Sequence, residues 1–479
     1  MTSLARIIVL ITAMALGFSA RASVSKDNGF EQWLENQFVI AKTKLKANIS
    51  RSDTLPGTVV ASPSKHEPNY YYHWVRDAGL VMLTVDRLRA YESDASERKL
   101  YLNFLYEFVE LTKTHQTYPA PGGLGEVKFN VDGTPFTGPW GRPQNDGPAL
   151  RAYVLTKLAN LLLDMGAWDY VLNNLYDGLL PSQTVIKRDL EYVAHNWRYQ
   201  DFDLWEEVKG HHFFTRVAQR RALREGAKLA MRLGDQGAAI WYALQADSLS
   251  EALEWHWDGN RGFINSTLNR VDGIDYKGGL DSSVIIGAIE AERDDDNFFT
   301  IGDDRYMASI NKMREAFGSS YDVNQRFSDL GTAIGRYPED QYDGVRTGSR
   351  GNPWFLTTAA FASYHYKLAR HLKQSGSLEV TPVNQKFLSW VTGHVSKSVT
   401  LVAGKQFAQG SVEFKTVIDG LVKTGDDYLK RIRMHINQET GDMAEQIDRK
   451  SGYMRGASDL TWSYSSFVNA YLDRFEALE

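Results

Sequence analysis

Four short segments of this chain set indole rings beside arginines and carboxylates. They are Tyr70-Tyr71-Tyr72-His73-Trp74-Val75-Arg76-Asp77, Gly138-Pro139-Trp140-Gly141-Arg142-Pro143, Asp203-Leu204-Trp205-Glu206-Glu207 and Asp459-Leu460-Thr461-Trp462. That mixture suits a sugar. A pyranose offers apolar C–H faces that pack on aromatic rings and a rim of hydroxyls that take paired hydrogen bonds from guanidinium and carboxylate groups. Any one cluster is also explained by ordinary tryptophan burial beside a surface ion pair. Four in one chain argue for a glycan site.

Within the third cluster, Glu206 has the surroundings a general acid needs. Glu207 follows at once, and Trp205 can desolvate a neighbouring carboxyl, so that a proton is kept near neutral pH. The same residues also read as a helix start, with Asp203 as N-cap and Glu206 reaching back to it. Hydrolysis needs a second carboxylate to activate water. Glu445, in Met443-Ala444-Glu445-Gln446-Ile447-Asp448, is the candidate, although by spacing alone it is one glutamate among many.

Other chemistries are excluded or unsupported. With no cysteine there is no disulfide, thiolate metal site, Fe–S cluster or cysteine nucleophile. The His211-His212 pair lacks the His-Glu-x-x-His spacing, and neighbours on a helix point apart, so no metal site is expected. Gly-x-Ser-x-Gly and phosphate-loop patterns are absent. A net charge of −5 offers no overall attraction to nucleic acid or anionic membranes. One basic stripe, Arg216, Arg220, Arg224, Lys228 and Arg232, recurs every fourth residue and reads as a solvated helix face.

Helices must position these groups. Of 479 residues, 43% are hydrophobic and 24% charged, the balance of a globular chain with a large core. Pro148 opens an amphipathic helix through Leu150, Tyr153, Val154, Leu158, Leu161 and Leu162, and Gly166 closes it. Phe214 to Leu233 and Phe467 to Phe475 repeat the pattern, whereas Ser283-Val284-Ile285-Ile286 could be strand or buried helix. No linker-like tract interrupts the chain. At the N-terminus, Arg6, the apolar run Ile7 to Phe18 and Ala20-Arg21-Ala22 read as a signal peptide, residues 1–22, cleaved after Ala22. Export to the periplasm or the medium follows.

Seven motifs, in order along the chain, resemble fungal-type glucoamylases: Val59-Val60-Ala61-Ser62-Pro63-Ser64, Trp74-Val75-Arg76-Asp77, Gly123 through Asn130, Trp140 through Gln144, Asp203 through Val208, Gly335-Arg336-Tyr337-Pro338-Glu339-Asp340 and Asp459 through Tyr464. The resemblance implies an all-α fold, an (α/α)6 barrel formed by residues 23–479 as a single catalytic domain without a separate starch-binding module. It also implies release of β-D-glucose from non-reducing ends of starch-type α-glucans with inversion, by a monomer that needs no cofactor. By matching motifs, Glu206 is expected to be the general acid and Glu445 the general base, with Asp203 in support. Arg76 and Asp77 are expected to clamp the terminal glucose, and the Leu204 carbonyl to bind sugar. Trp205, Glu207 and Arg336 should surround the scissile bond and the next sugar, and Tyr70, Trp74, Trp140, Trp354 and Trp462 should form an aromatic wall.

The chain departs from that pattern in lacking cysteine and in a segment resembling an insertion, Asp343 to Arg350, expected to reshape the second sugar site. Two other readings remain. A related glucosidase of the same fold could prefer α-1,6 links or trehalose, because pocket shape sets linkage. A non-catalytic glycan-binding protein would keep Trp140 and Arg76 without needing both carboxylates.

Overall fold

The computed structural model describes residues 28–290 and 296–479, so the signal-peptide reading lies outside the described residues. Twelve helices carry the architecture: α1 Asn28–Ala47, α2 Val75–Tyr91, α3 Ala95–Thr117, α4 Asp146–Asp164, α5 Val185–Asn196, α6 Phe213–Arg232, α7 Gln236–Glu254, α8 Ser283–Glu290, α9 Asp304–Ser320, α10 Phe355–Ser375, α11 Val412–His435 and α12 Thr461–Leu478. The even-numbered helices touch one another in sequence order, and α12 returns to α2, closing an inner ring. Each odd-numbered helix packs outside the inner helix that precedes it, α3, α5, α7, α9 and α11 on α2, α4, α6, α8 and α10, and α1 closes the outer ring on α12. This is the (α/α)6 barrel.

Sequence chemistry explains the division. Inner helix α10 is buried at almost every position from Phe355 to Leu372 and carries no polar stripe, as a helix surrounded by others requires. Outer helix α11 alternates buried Val417, Leu421, Tyr428 and Ile432 with exposed residues. The helix opened by Pro148 begins two residues earlier, placing the proline in the first turn, and Gly166 ends it at φ +83°. The segment Ser283 to Ile286 is helix, within α8.

The basic stripe of α6 is solvated only toward its C-terminal end, where Lys228 and Arg232 are exposed; its first two residues are not. Arg216 and Arg220 are buried against α7, where Arg216 Nη1 donates to the Ala252 carbonyl at 3.2 Å and Arg220 Nε to Ser250 Oγ at 2.7 Å. Arg224 pairs with Asp247 of α7, and Arg232 reaches Asp164 of α4 at 2.6 Å. Long aliphatic stems can fill a helix seam while their guanidinium ends find partners across it. His211 and His212 lie on a strand, not on a helix, and His212 is buried with Nε2 on the Asp201 carbonyl at 2.8 Å.

Because outer and inner helices alternate along the chain, all six inner helices run the same way. First-turn residues of three of them, Arg76, Asp77, Leu356 and Trp462, line one pocket. Helix N-termini carry partial positive charge, so this end of the barrel favours carboxylates. The short strands that shape the site lie in the loops here: β1 His73–Trp74 with β2 Lys128–Phe129, β3 Asp201–Phe202 with β4 Val208–His212 and β5 Thr267–Gly273, and β6 Gln446–Ile447 with β7 Met454–Arg455. Among the described residues, no helix is long and apolar enough to cross a membrane.

Candidate active site

Glu206 stands on the turn between β3 and β4. The alternative reading of Asp203 as a helix start does not hold: Asp203 Oδ1 accepts the N–H groups of Glu207 at 2.7 Å and Val208 at 2.9 Å, folding the chain back into a hairpin. Its Oδ2 accepts Lys277 Nζ at 2.6 Å. Burial works against a charge on Asp203, but Lys277, His212 and the turn N–H groups outweigh it and hold the carboxyl well below the usual range. Asp203 therefore stands behind the turn and is not on the pocket wall. Glu206 itself has φ +66°, a left-handed conformation that costs a non-glycine residue energy and persists where the surroundings impose it.

Four N–H donors converge on the Glu206 carboxylate. Oε1 accepts from Trp74 Nε1 at 2.9 Å, Gln144 Nε2 at 3.2 Å and Arg76 Nη2 at 3.3 Å, whereas Oε2 accepts only from Trp140 Nε1 at 2.9 Å. Arg76 is buried, with Nη1 on Gln144 Oε1 at 2.7 Å and on Asp146 at 3.2 Å, and its Nε lies 3.6 Å from Asp77. Burial pushes the Asp77 carboxyl up to about 6 despite Arg76. The Trp140 loop is tied down by Arg142, which pairs with Glu126 at 2.7 Å and donates to the carbonyls of Gly138 and Phe136. Phe202 N donates to the Pro143 carbonyl at 2.9 Å, joining that loop to the β3–β4 hairpin.

Glu445 has different company. It is fully buried just before β6, and its Oε1 accepts from the Tyr70 hydroxyl at 3.0 Å. Tyr70 has one proton to give, so the Tyr342 hydroxyl, 2.9 Å away, must donate to Tyr70. Burial pushes Glu445 up to about 8, opposed by Tyr70, the Ala457 N–H and Arg336.

The pocket wall holds Glu206 and Glu445 together with Tyr70, Trp74, Arg76, Asp77, Trp140, Leu204, Trp205, Arg336, Trp354 and Trp462. Trp140 is 40% exposed, so it serves no core. Glu207 stands behind the wall, with Oε1 on Arg336 at 2.7 Å and Oε2 on the Tyr337 hydroxyl at 2.6 Å. Arg336 is held from the other side by Asp340 at 2.5 Å. Trp205 directs its N–H to Asp281 Oδ1 at 2.9 Å and its ring to Trp354, rather than serving Glu206 by a hydrogen bond. Three contributors escaped the sequence reading. Gln144 ended a quoted motif, Tyr342 followed Asp340 by two residues, and Lys128 lay inside Gly123 to Asn130, but none was singled out. The Asp343 to Arg350 segment is exposed beyond Gly344 and anchored by Asp343 to Arg455 at 2.9 Å. Among the described residues no cluster of histidine and carboxylate ligands could hold a metal ion.

A family model described as glycosyl hydrolases family 15 matches residues 39–472. A glucoamylase of Blastobotrys adeninivorans is 39% identical over 452 residues, covering 92% of this chain and 71% of the relative. A solved family 15 glucoamylase of Hypocrea jecorina superposes with a TM-score of 0.83 at 32% identity, covering 93% of this chain and 72% of that one. The solved glucoamylase of Saccharomycopsis fibuligera gives 0.81 at 33%, covering 94% and 96%. With the family model spanning most of its length, a barrel that superposes on theirs and two glutamates sharing one aromatic pocket, this chain belongs to glycosyl hydrolases family 15, as an enzyme of the glucoamylase kind.

Proposed function

We propose that the pocket hydrolyses α-glucosidic bonds at the non-reducing ends of starch, maltodextrins and maltooligosaccharides, inverting the anomeric centre and releasing β-D-glucose. The observation that carries this reading is the unlike surroundings of two carboxylates on one pocket wall: Glu206 is met by four N–H donors, and Glu445 by a tyrosine hydroxyl in a buried recess. Glu206 acts as acid. Its Oε1 is saturated by three donors, so the transferable proton belongs on Oε2, where Trp140 occupies one side only. Glu445 acts as base, taking a proton from the water that attacks the anomeric carbon as the glycosidic C–O bond breaks and its oxygen accepts the Glu206 proton. Inversion requires the two carboxyl groups to stand roughly 6.5 to 9.5 Å apart, leaving room for that water.

The terminal glucose sits against Arg76 and Asp77, at the first turn of α2, with its apolar faces on the indole wall. Asp203 acts at one remove, fixing the turn that presents Glu206. Incubating the protein with maltotriose, isomaltose and trehalose, and following the released anomer by NMR, tests bond, linkage and stereochemistry together. β-Glucose appearing first from maltotriose is the expected result. α-Glucose, early internal fragments, or a preference for isomaltose or trehalose would overturn it.

A further inference from the structure

Among the described residues Lys128 joins no ion pair, yet it is one of the most enclosed lysines of the barrel. It sits on β2 directly across from Trp74 of β1, and it is 2% exposed. Its Nζ lies 3.3 Å from the centroid of the Trp140 ring, 4.3 Å from those of Trp74 and Phe136, and 4.6 Å from that of Tyr72. Those four rings also meet one another edge to face in a closed cycle: Tyr72 on Trp74, Trp74 on Trp140, Trp140 on Phe136 and Phe136 on Tyr72. The ammonium is boxed in by ring faces. No carboxylate among the described residues comes within ion-pair distance of it; the charged groups acting most on it are Glu206, Arg142 and Glu126, the last two already paired with each other.

Two sides of this box are the indoles that donate to Glu206, Trp74 to Oε1 and Trp140 to Oε2, each at 2.9 Å. We propose that Lys128 is a positioning residue for the acid: its ammonium holds the two indoles with their N–H edges on the Glu206 carboxylate and strengthens them as donors. The physics is direct. A cation over a ring face is attracted by the ring quadrupole and draws electron density away from the ring, which leaves the indole N–H more positive. Trp140 is the half-exposed member of the box, so a hold on its ring face matters most there. An ammonium without a carboxylate partner is costly to bury, and burial lowers Lys128 to about 8, with Glu206 opposing that shift. As pH rises through that range, the box loses its cation.

The proposal rests on Glu206 being the acid, and its tests are chosen to fail separately from that reading. Lys128→Met keeps the volume and removes the charge. The folded variant is expected to lose about tenfold or more in kcat/KM on maltotriose, and to lose the alkaline step near pH 8 from its pH profile. A folded Lys128→Met protein with the wild-type kcat/KM and profile overturns the role. Should the variant not fold, tryptophan fluorescence of the wild-type protein from pH 6 to 10 decides: a transition near 8 that Trp140→Phe diminishes, leaving the part reported by Trp74, is expected, and the absence of any transition in the wild-type protein overturns the proposal. That measurement needs no turnover. Wild-type protein that releases no glucose defeats the hydrolase reading and leaves the Lys128 result standing or falling by itself.

Discussion

Gly456 leaves room for Glu445. A Cβ built on Gly456 falls 2.1 Å from Glu445 Oε2, and the backbone there has φ +76°, where an L side chain is itself strained. The hairpin β6–β7 thus brings its own backbone against the buried carboxylate, and the adjacent Ala457 N–H faces the same oxygen at 3.4 Å.

Gly456→Ala is expected to lower stability by about 1 to 3 kcal/mol, from backbone strain and overpacking, and to cut kcat/KM much further, because the atom that must move is the base. Denaturant titration and maltotriose kinetics read the two effects separately. Wild-type turnover in this variant would mean that Glu445 can shift without consequence.

The Tyr70 hydroxyl is what most directly favours a charged Glu445. Burial pushes this carboxyl up to about 8, and the hydrogen bond from Tyr70 is the largest influence pulling it down. A base must be deprotonated, so activity should rise with pH as Glu445 ionises, and the acid limb of kcat/KM should lie above that of an ordinary carboxylate. That is higher than the mildly acidic bell, about pH 4 to 6, expected from two glutamates alone. Tyr70→Phe removes the donor, which raises Glu445 further and moves the acid limb up by about one to two pH units, since a hydrogen bond to a charged group is worth about 1.5 to 3 kcal/mol. An unmoved or lowered limb would separate Glu445 from the group that the profile reports.

The sequence made the barrel legible because helical periodicity and the motif order survive without coordinates. Its errors share one cause. Asp203 to Glu206 offered a helix start as an alternative because a capping aspartate and a turn aspartate both accept backbone N–H groups a few residues on. The partners separate them: a cap accepts from the second or third residue on, whereas Asp203 accepts from Glu207 and Val208, four and five residues on, and Glu206 has positive φ. The α6 stripe resembled a wet face because periodicity assigns residues to a side of a helix without saying what lies opposite, and Ser250, Asp247 and the Ala252 carbonyl belong to another helix. Tyr342 and Lys128 went unremarked because their meaning lies in partners far along the chain: Tyr70 is 272 residues from Tyr342, and Trp140 faces Lys128 only after β1 and β2 pair.

A second pH effect concerns stability. His115 is buried, stacked on Phe129 at 3.7 Å, with Nε2 unpartnered, and burial together with His73 and Arg151 holds it well below the ordinary histidine range. The unfolded chain takes up a proton on this residue below about pH 6.5, and the folded chain does not. Its contribution to stability is therefore complete above that pH and lost as pH falls. His115→Phe removes the loss. Relative to the variant, the wild-type protein should lose up to about 1.4 kcal/mol of unfolding free energy per pH unit between pH 6.5 and 5. Parallel stability curves for the two proteins would show that His115 titrates normally when folded.

The last prediction separates the two glutamates by what each must supply. A glycosidic oxygen in maltose is a poor leaving group and needs the Glu206 proton, whereas a fluoride or nitrophenolate leaves without one. Glu206→Gln should abolish maltose hydrolysis yet keep a measurable fraction of activity on α-glucosyl fluoride. The amide adds a mark of its own. With its oxygen at the Oε1 position it still accepts from Trp74, Gln144 and Arg76, but its NH2 then confronts the Trp140 N–H, donor against donor. Trp140 should loosen, and KM should rise along with the fall in kcat. Glu445→Gln leaves that network untouched and removes the acceptor for the proton of water, so both substrates should lose activity to a similar extent. A folded Glu445→Gln protein that hydrolyses maltose at near the wild-type rate would place the base elsewhere. Asp203 could take over only by leaving its bonds to Lys277 and the turn N–H groups, which the same experiment on Asp203→Asn would register as lost stability.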